Sequence, residues 1–140
     1  MFKNNYFFLY LCVFFVFLKL FSVSTTNFNL YGDEAQYWLW SKDLSFGYFS
    51  KPPLLAWLIW VITSVVGDSF FVLKLIPISI YCINSFLIYI LSKKLWGEHK
   101  LAVCTAITFF LMPSVVFSSF FLSTDILLIF FWICGLIQIL

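Results

Sequence analysis

Residues 31–57 read YGDEAQYWLWSKDLSFGYFSKPPLLAW, and their chemistry differs from that of the chain on either side. Asp33, Glu34 and Asp43 lie in the stretch and Asp68 lies just beyond it, together four of the six acidic residues. Lys42, Lys51 and three of the six tryptophans fall here too. The flanking sequence is apolar: of 140 residues, 64% are hydrophobic and 10% charged, with a mean hydropathy of +1.05. A soluble domain carries about 25% charged residues. So few charges cannot cover a water-facing surface, so lipid must solvate the chain. The fold class is therefore an all-α membrane protein, a multi-span helical bundle. A polar, aromatic stretch between apolar spans is where such a protein meets a head group or a soluble substrate. The net charge of +2 is too small to imply nucleic acid as a partner.

Working outward, residues 6–23 form one apolar run broken only by Lys19, long enough to span. The run exceeds the core of a secretory signal and lacks a small-residue cleavage site, so it reads as a span. Lys3 ahead of it predicts a cytoplasmic N-terminus, and Lys19 near the outer end is expected to snorkel to the head groups. Within the central stretch a first short helix is expected at about 33–42. Asp33 and Gln36 have the form of a capping box, and Tyr31, Ala35, Trp38 and Leu39 share one face. The segment 43–50, with Gly47, reads as a turn. Pro52 and Pro53 then open a second short helix at about 53–66. Its 13 apolar residues, Leu54 to Val66, cover roughly 20 Å against a hydrocarbon core of about 30 Å. Both are read as interfacial helices of the first outer loop.

Further spans are expected at about 69–91, 101–117 and 124–140, with Pro77 as a kink point and Ser123 and Thr124 as cap residues. The basic turn holding Lys93, Lys94, His99 and Lys100 belongs on the cytoplasmic side. With two spans before it, that turn and Lys3 share a side. The final run, 126–140, ends within apolar sequence and falls short of the about 20 residues a span needs. The expectation is that residues 1–140 are the N-terminal part of a larger transmembrane domain. Cys12, Cys82, Cys104 and Cys134 all lie in apolar runs without CxxC spacing, and read as small buried hydrophobes.

On this topology Asp33-Glu34, Lys51 and Asp125 share the outer surface. Each has a plain structural role open to it: Asp33 as a cap, Lys51 as a snorkelling lysine, Asp125 as a helix N-terminal carboxylate. Each also has a chemical one. Asp33 is the candidate general base, able to take a proton from an acceptor at the lipid–water boundary. Lys51 is a point charge suited to a phosphate. Asp125 interrupts an uncharged run from Leu101 to Leu140 and is a site candidate on that ground. Glu34 points about 100° away from Asp33 on the same helix, so the two carboxylates are given different roles. Asp43 and Asp68 read as loop and helix-end residues.

Asp33-Glu34-Ala35-Gln36-Tyr37-Trp38-Leu39-Trp40, followed by Gly47-Tyr48-Phe49-Ser50-Lys51-Pro52-Pro53-Leu54, resembles the first outer loop of the membrane glycosyltransferases of family 39. That family, within the wider GT-C class, includes the dolichyl-phosphate-mannose–protein mannosyltransferases and the aminoarabinose transferase of lipid A. Ser123-Thr124-Asp125 resembles its second acidic site. The resemblance implies a GT-C-like fold in which the two short helices are juxtamembrane. It implies sugar transfer from a polyprenyl-phosphate donor to a lipid, glycan or protein acceptor on the periplasmic side of a bacterial inner membrane. It makes Asp33 the catalytic carboxylate, and Glu34, Lys51 and Asp125 substrate-binding residues. At Ser50 the sequence departs from the pattern. The aminoarabinose branch has an acidic residue before the lysine, and other members have an acidic residue and a histidine before Pro-Pro. The resemblance thus assigns no metal ligand, and a divalent metal remains an open cofactor. The alternatives are a small four-span transporter-like or structural subunit using Asp125 and Lys51 as a pair, or an inactive remnant of the family.

Overall fold

The computed structural model describes residues 6–25 and 30–140; the expectation for Lys3 lies outside them. Among the described residues seven helices follow in order: α1 (Tyr6–Thr25), α2 (Gly32–Trp40), α3 (Leu54–Val66), α4 (Phe70–Trp96), α5 (His99–Leu111), α6 (Pro113–Ser118) and α7 (Asp125–Ile139). Among the described residues, α4 is the one helix both long and apolar enough to cross a membrane; α3, α5 and α7 are shorter apolar helices.

The bundle is built around α4, which packs against α1, α3, α5 and α7. Its first half is buried on most sides, through Val72, Leu73, Ile76, Ile78, Ile80 and Tyr81. It starts at Ser69, whose hydroxyl accepts the Val72 N–H at 3.2 Å, and runs on through Pro77. It extends past the expected end at residue 91 to Trp96, since nothing from Ser92 to Trp96 is a breaker. Gly97 stops it: a φ of 70° is left-handed backbone, cheap only for glycine, and its N–H closes on the Lys93 carbonyl at 2.9 Å.

Apolar burial does little to hold helices together where lipid is the solvent; close packing of small residues and hydrogen bonds across helices take over. The α4–α5 contact has that character. Ala102 and Ala106, one turn apart on α5, are fully buried. Ser85 Oγ on α4 donates to the Ala106 carbonyl at 3.0 Å, and Ser92 Oγ meets Thr105 Oγ1 at 3.3 Å. Cys104 lies about 200° round the helix from Ala102 and is exposed, and Cys82 and Cys134 are half-buried. The expectation of uniformly buried thiols is corrected for these three.

The run expected as one helix over 101–117 is two. Pro113 has no N–H to give and disfavours helical backbone at the residue before it. Met112 accordingly takes φ −57° and ψ 128°, ending α5 and setting α6 off on a new course. A short connection, residues 119–124, then leads to α7. Thr124 begins that helix, but its side chain makes no cap bond, against the expectation.

Candidate active site

The motif-bearing stretch folds as α2, an irregular turn, and α3. The capping box predicted at Asp33 and Gln36 sits earlier. Glu34 occupies the third helical position and its Oε2 accepts the Tyr31 N–H at 2.9 Å. The buried face of α2 is Glu34, Tyr37 and Ser41, while Leu39 of the predicted apolar stripe is exposed and Tyr31, also exposed, sets its ring edge-on to Phe121. Asp33, in the first turn, is exposed.

The turn is assembled on Tyr48. Its ring stacks on Trp40 with centroids 4.6 Å apart and an interplanar angle of 10°. Its hydroxyl lies 2.8 Å from the Trp40 carbonyl and 3.0 Å from that of Asp43, and it accepts the Ser45 N–H at 3.2 Å. The Trp57 indole on α3 donates to the Ser45 carbonyl at 3.0 Å. The two halves of the motif are thus stitched together by their aromatic residues, and the chain emerges through exposed Lys51 into Pro52 and Pro53.

Glu34 is almost completely buried, at 1% exposure, and faces Lys74 of α4, at 5%. The Lys74 ammonium donates to Oε1 at 2.8 Å and Oε2 at 2.6 Å, and to the Phe120 carbonyl at 3.0 Å. Glu34 Oε1 also accepts the Leu122 N–H at 2.9 Å. Both carboxylate oxygens are therefore filled by protein donors. Glu34, expected among the substrate-binding residues, is thus buried and occupied by four protein contacts. Sequence reading missed Lys74, which it passed over as part of a span. The signal was there, since an ammonium inside an apolar run demands a partner.

The expectation for Lys19 is corrected. It is 5% exposed rather than snorkelling. It turns inward to the Ser119 hydroxyl and lies over the rings of Phe110 and Phe120, 5.3 and 5.5 Å from their centroids. A nearby hydroxyl and two ring faces replace the head-group water it would otherwise seek. Asn84 Nδ2 donates to the Ile126 carbonyl at 3.1 Å.

Asp125 itself is exposed at the start of α7. With Thr124, Leu127, Leu128 and Phe131 it forms one wall of an open cavity of about 280 Å³; Pro52, Leu54 and Leu55 form the other. The residue after Lys51 and the lone carboxylate of the last helix thus wall the same hollow. Asp33 is tied to that end of the bundle through its neighbour Glu34 and the Leu122 amide. Asp68, given no role from sequence, accepts from the Trp38 indole at 2.8 Å and pairs with Lys42, joining the C-terminal end of α2 to the α3–α4 connection. These bonds, the one from Lys42 foremost, hold its carboxyl below the ordinary range. Among the described residues no three His, Cys, Asp or Glu side chains gather as metal ligands would.

This arrangement offers an exposed carboxylate, a lysine next in sequence to a hollow lined mainly by apolar side chains, and a second carboxylate on its rim. Comparison with known proteins points the same way. Residues 50–140 match the family described as dolichyl-phosphate-mannose-protein mannosyltransferase. The match includes Lys51, Lys74 and Asp125 and starts after Asp33 and Glu34. The chain is 35% identical over 116 residues to the lipid A galacturonosyltransferase RgtD of Rhizobium johnstonii, a stretch covering 80% of this chain and 24% of that protein. The chain therefore spans about a quarter of the length of that curated relative. No solved structure matches.

Proposed function

Because the chain belongs to the dolichyl-phosphate-mannose-protein mannosyltransferase family, we propose that it carries the donor-side half of a membrane glycosyltransferase active site. The substrate is a sugar on a polyprenyl phosphate, and the acceptor is a lipid, glycan or protein. The similarity to a lipid A galacturonosyltransferase favours a lipid acceptor. The observation that carries the reading is the shared cavity of the Pro52 corner and Asp125, with exposed Lys51 at its lip.

In the proposed reaction the acceptor hydroxyl attacks the anomeric carbon. The new glycosidic C–O bond forms as the bond from that carbon to the phosphate oxygen breaks. The hydroxyl proton passes to Asp33, and the polyprenyl phosphate leaves with the bonding electrons. Lys51 neutralises charge as it builds on that phosphate. Asp125, on the opposite rim, holds sugar hydroxyls. The isoprenoid has an apolar wall to lie against in Leu54, Leu128 and Phe131. Should a divalent metal take part, Asp33 and Asp125 are the candidate carboxylates to hold it, and it would supply charge neutralisation at the phosphate.

The sidedness in this reading is argued from α4. Lys74, at the candidate site, and Lys94, in the basic turn, are 20 residues apart on one helix, roughly 30 Å, about one hydrocarbon thickness. Lys94 Nζ also reaches the Ile137 carbonyl at 2.7 Å, at the far end of α7 from Asp125. A basic turn favours the cytoplasmic face, which supports a reading with the site on the periplasmic face of an inner membrane and the N-terminus cytoplasmic. The test is transfer from a panel of polyprenyl-phosphate sugars, galacturonate included, in membranes from cells expressing the protein from its own reading frame. Asp33→Asn should abolish transfer while insertion persists. Undiminished transfer by that variant would remove Asp33 as the base.

A further inference from the structure

The connection leading into α7 is gripped by charged and polar side chains from three other helices. Lys19 of α1 holds Ser119 within it, and Asn84 of α4 holds the Ile126 carbonyl just beyond it, in the first turn of α7. The centre of the grip is the Glu34–Lys74 pair. It touches the same connection twice, at the Phe120 carbonyl and the Leu122 amide, and touches the start of α2 at the Tyr31 amide. The ammonium is flanked by the rings of Phe70 and Phe121, 5.5 and 5.4 Å from their centroids. One buried ion pair thus joins three segments distant in sequence.

Stability alone does not account for such a pair. Taking two charges out of water costs several kcal/mol per ion, and well-packed apolar replacements are often as stable or more so. What an apolar pair lacks is directionality: Glu34 fixes the Leu122 amide relative to α2 to within a hydrogen-bond length. Asp33 is the residue before Glu34, and Asp125 lies three residues after Leu122. The pair thus links the backbone that carries Asp33 to the backbone that leads to Asp125.

We infer that Glu34 and Lys74 are positioning residues that lock the helix bearing Asp33 to the segment bearing Asp125, so that the two exposed carboxylates form one rigid frame. Their importance to catalysis rests on the function proposed above; the lock itself does not. The experiment therefore reads geometry first. Spin labels at Gln36→Cys on α2 and Trp132→Cys on α7, both exposed positions, report the distance between the two helices by pulsed electron resonance in nanodiscs, with the four native cysteines replaced by alanine. The parent should give one narrow distribution. Glu34→Gln/Lys74→Met removes both charges yet leaves an amide oxygen for the Leu122 N–H, so the variant should still fold. Its distribution should broaden markedly. A distribution as narrow as the parent's overturns the proposal.

Transfer activity supplies the second readout. A misplacement of about 1 Å costs on the order of 100-fold in rate, so kcat of the double variant should fall by about that factor while donor KM, set at Lys51, stays unchanged. A raised KM with unaltered kcat would return Glu34 to the substrate-binding residues and overturn the positioning role. If the double variant's distribution broadens and Asp33→Asn remains active, the reaction assignment fails and the lock stands.

Discussion

The Tyr48 ring lies flat against Trp40, 4.6 Å between centroids, and the same residue's hydroxyl reaches back to the Trp40 carbonyl at 2.8 Å. One side chain therefore holds the end of α2 and the turn before Lys51 in a fixed relation. The WLW and GYF halves of the motif are spaced to let this stack form. Tyr48→Phe keeps the stack and loses the hydroxyl contacts, a loss of about 1 kcal/mol. Tyr48→Ala loses the stack as well, about another 0.5–1.5 kcal/mol. Thermal unfolding in detergent should rank parent, Phe and Ala in that order, and the tryptophan emission of the Ala variant should shift as Trp40 is uncovered.

Lys51 is exposed, so its removal should leave the fold alone and act on the donor. A hydrogen bond to a charged group is worth about 1.5–3 kcal/mol. Lys51→Met should therefore raise donor KM by roughly 10- to 100-fold, and Lys51→Arg should keep most of the affinity because it keeps the charge. Equal KM values for Met and Arg variants would show that position 51 does not meet the phosphate.

The Lys42–Asp68–Trp38 cluster predicts a small acid sensitivity. Lys42 hydrogen bonding, then that of Trp38, lowers the Asp68 pKa in the folded protein. A group depressed on folding stabilises above its unfolded pKa, about 3.9 for Asp, and that contribution is lost as pH falls through the lower, folded value. Both partners are about 40% exposed, which limits the pair to less than about 1 kcal/mol. Asp68→Asn should lower the melting temperature slightly near neutral pH, with the difference from the parent shrinking in acid and in high salt. A difference that grows in acid would contradict the assignment.

The residues that sequence reading reached and those it missed differ in one physical respect. Asp33, Lys51 and Asp125 stand out locally, as charges at the edges of apolar runs, and all three are exposed at one end of the bundle. The helix bounds of α3 and the start of α7 were legible for the same reason: Pro53, Gly67 and Asp125 are punctuation that acts on its neighbours. The break at Met112 was also local, a proline effect understated in a run read as continuous. The contacts of Lys19, Glu34 and Lys74 were not legible because each meets a partner 40 to 100 residues away.

By itself, then, the sequence determined that this is a helical membrane protein with a polar, aromatic loop between apolar runs, because too few charges exist to face water and because proline and glycine stop helices wherever they stand. Only the tertiary structure decided which member of the Asp33-Glu34 pair looks outward. Both carboxylates sit in the same helical turn, and a buried ammonium claims just one of them. That ammonium comes from α4, and the amide that shares Glu34 comes from the connection into α7.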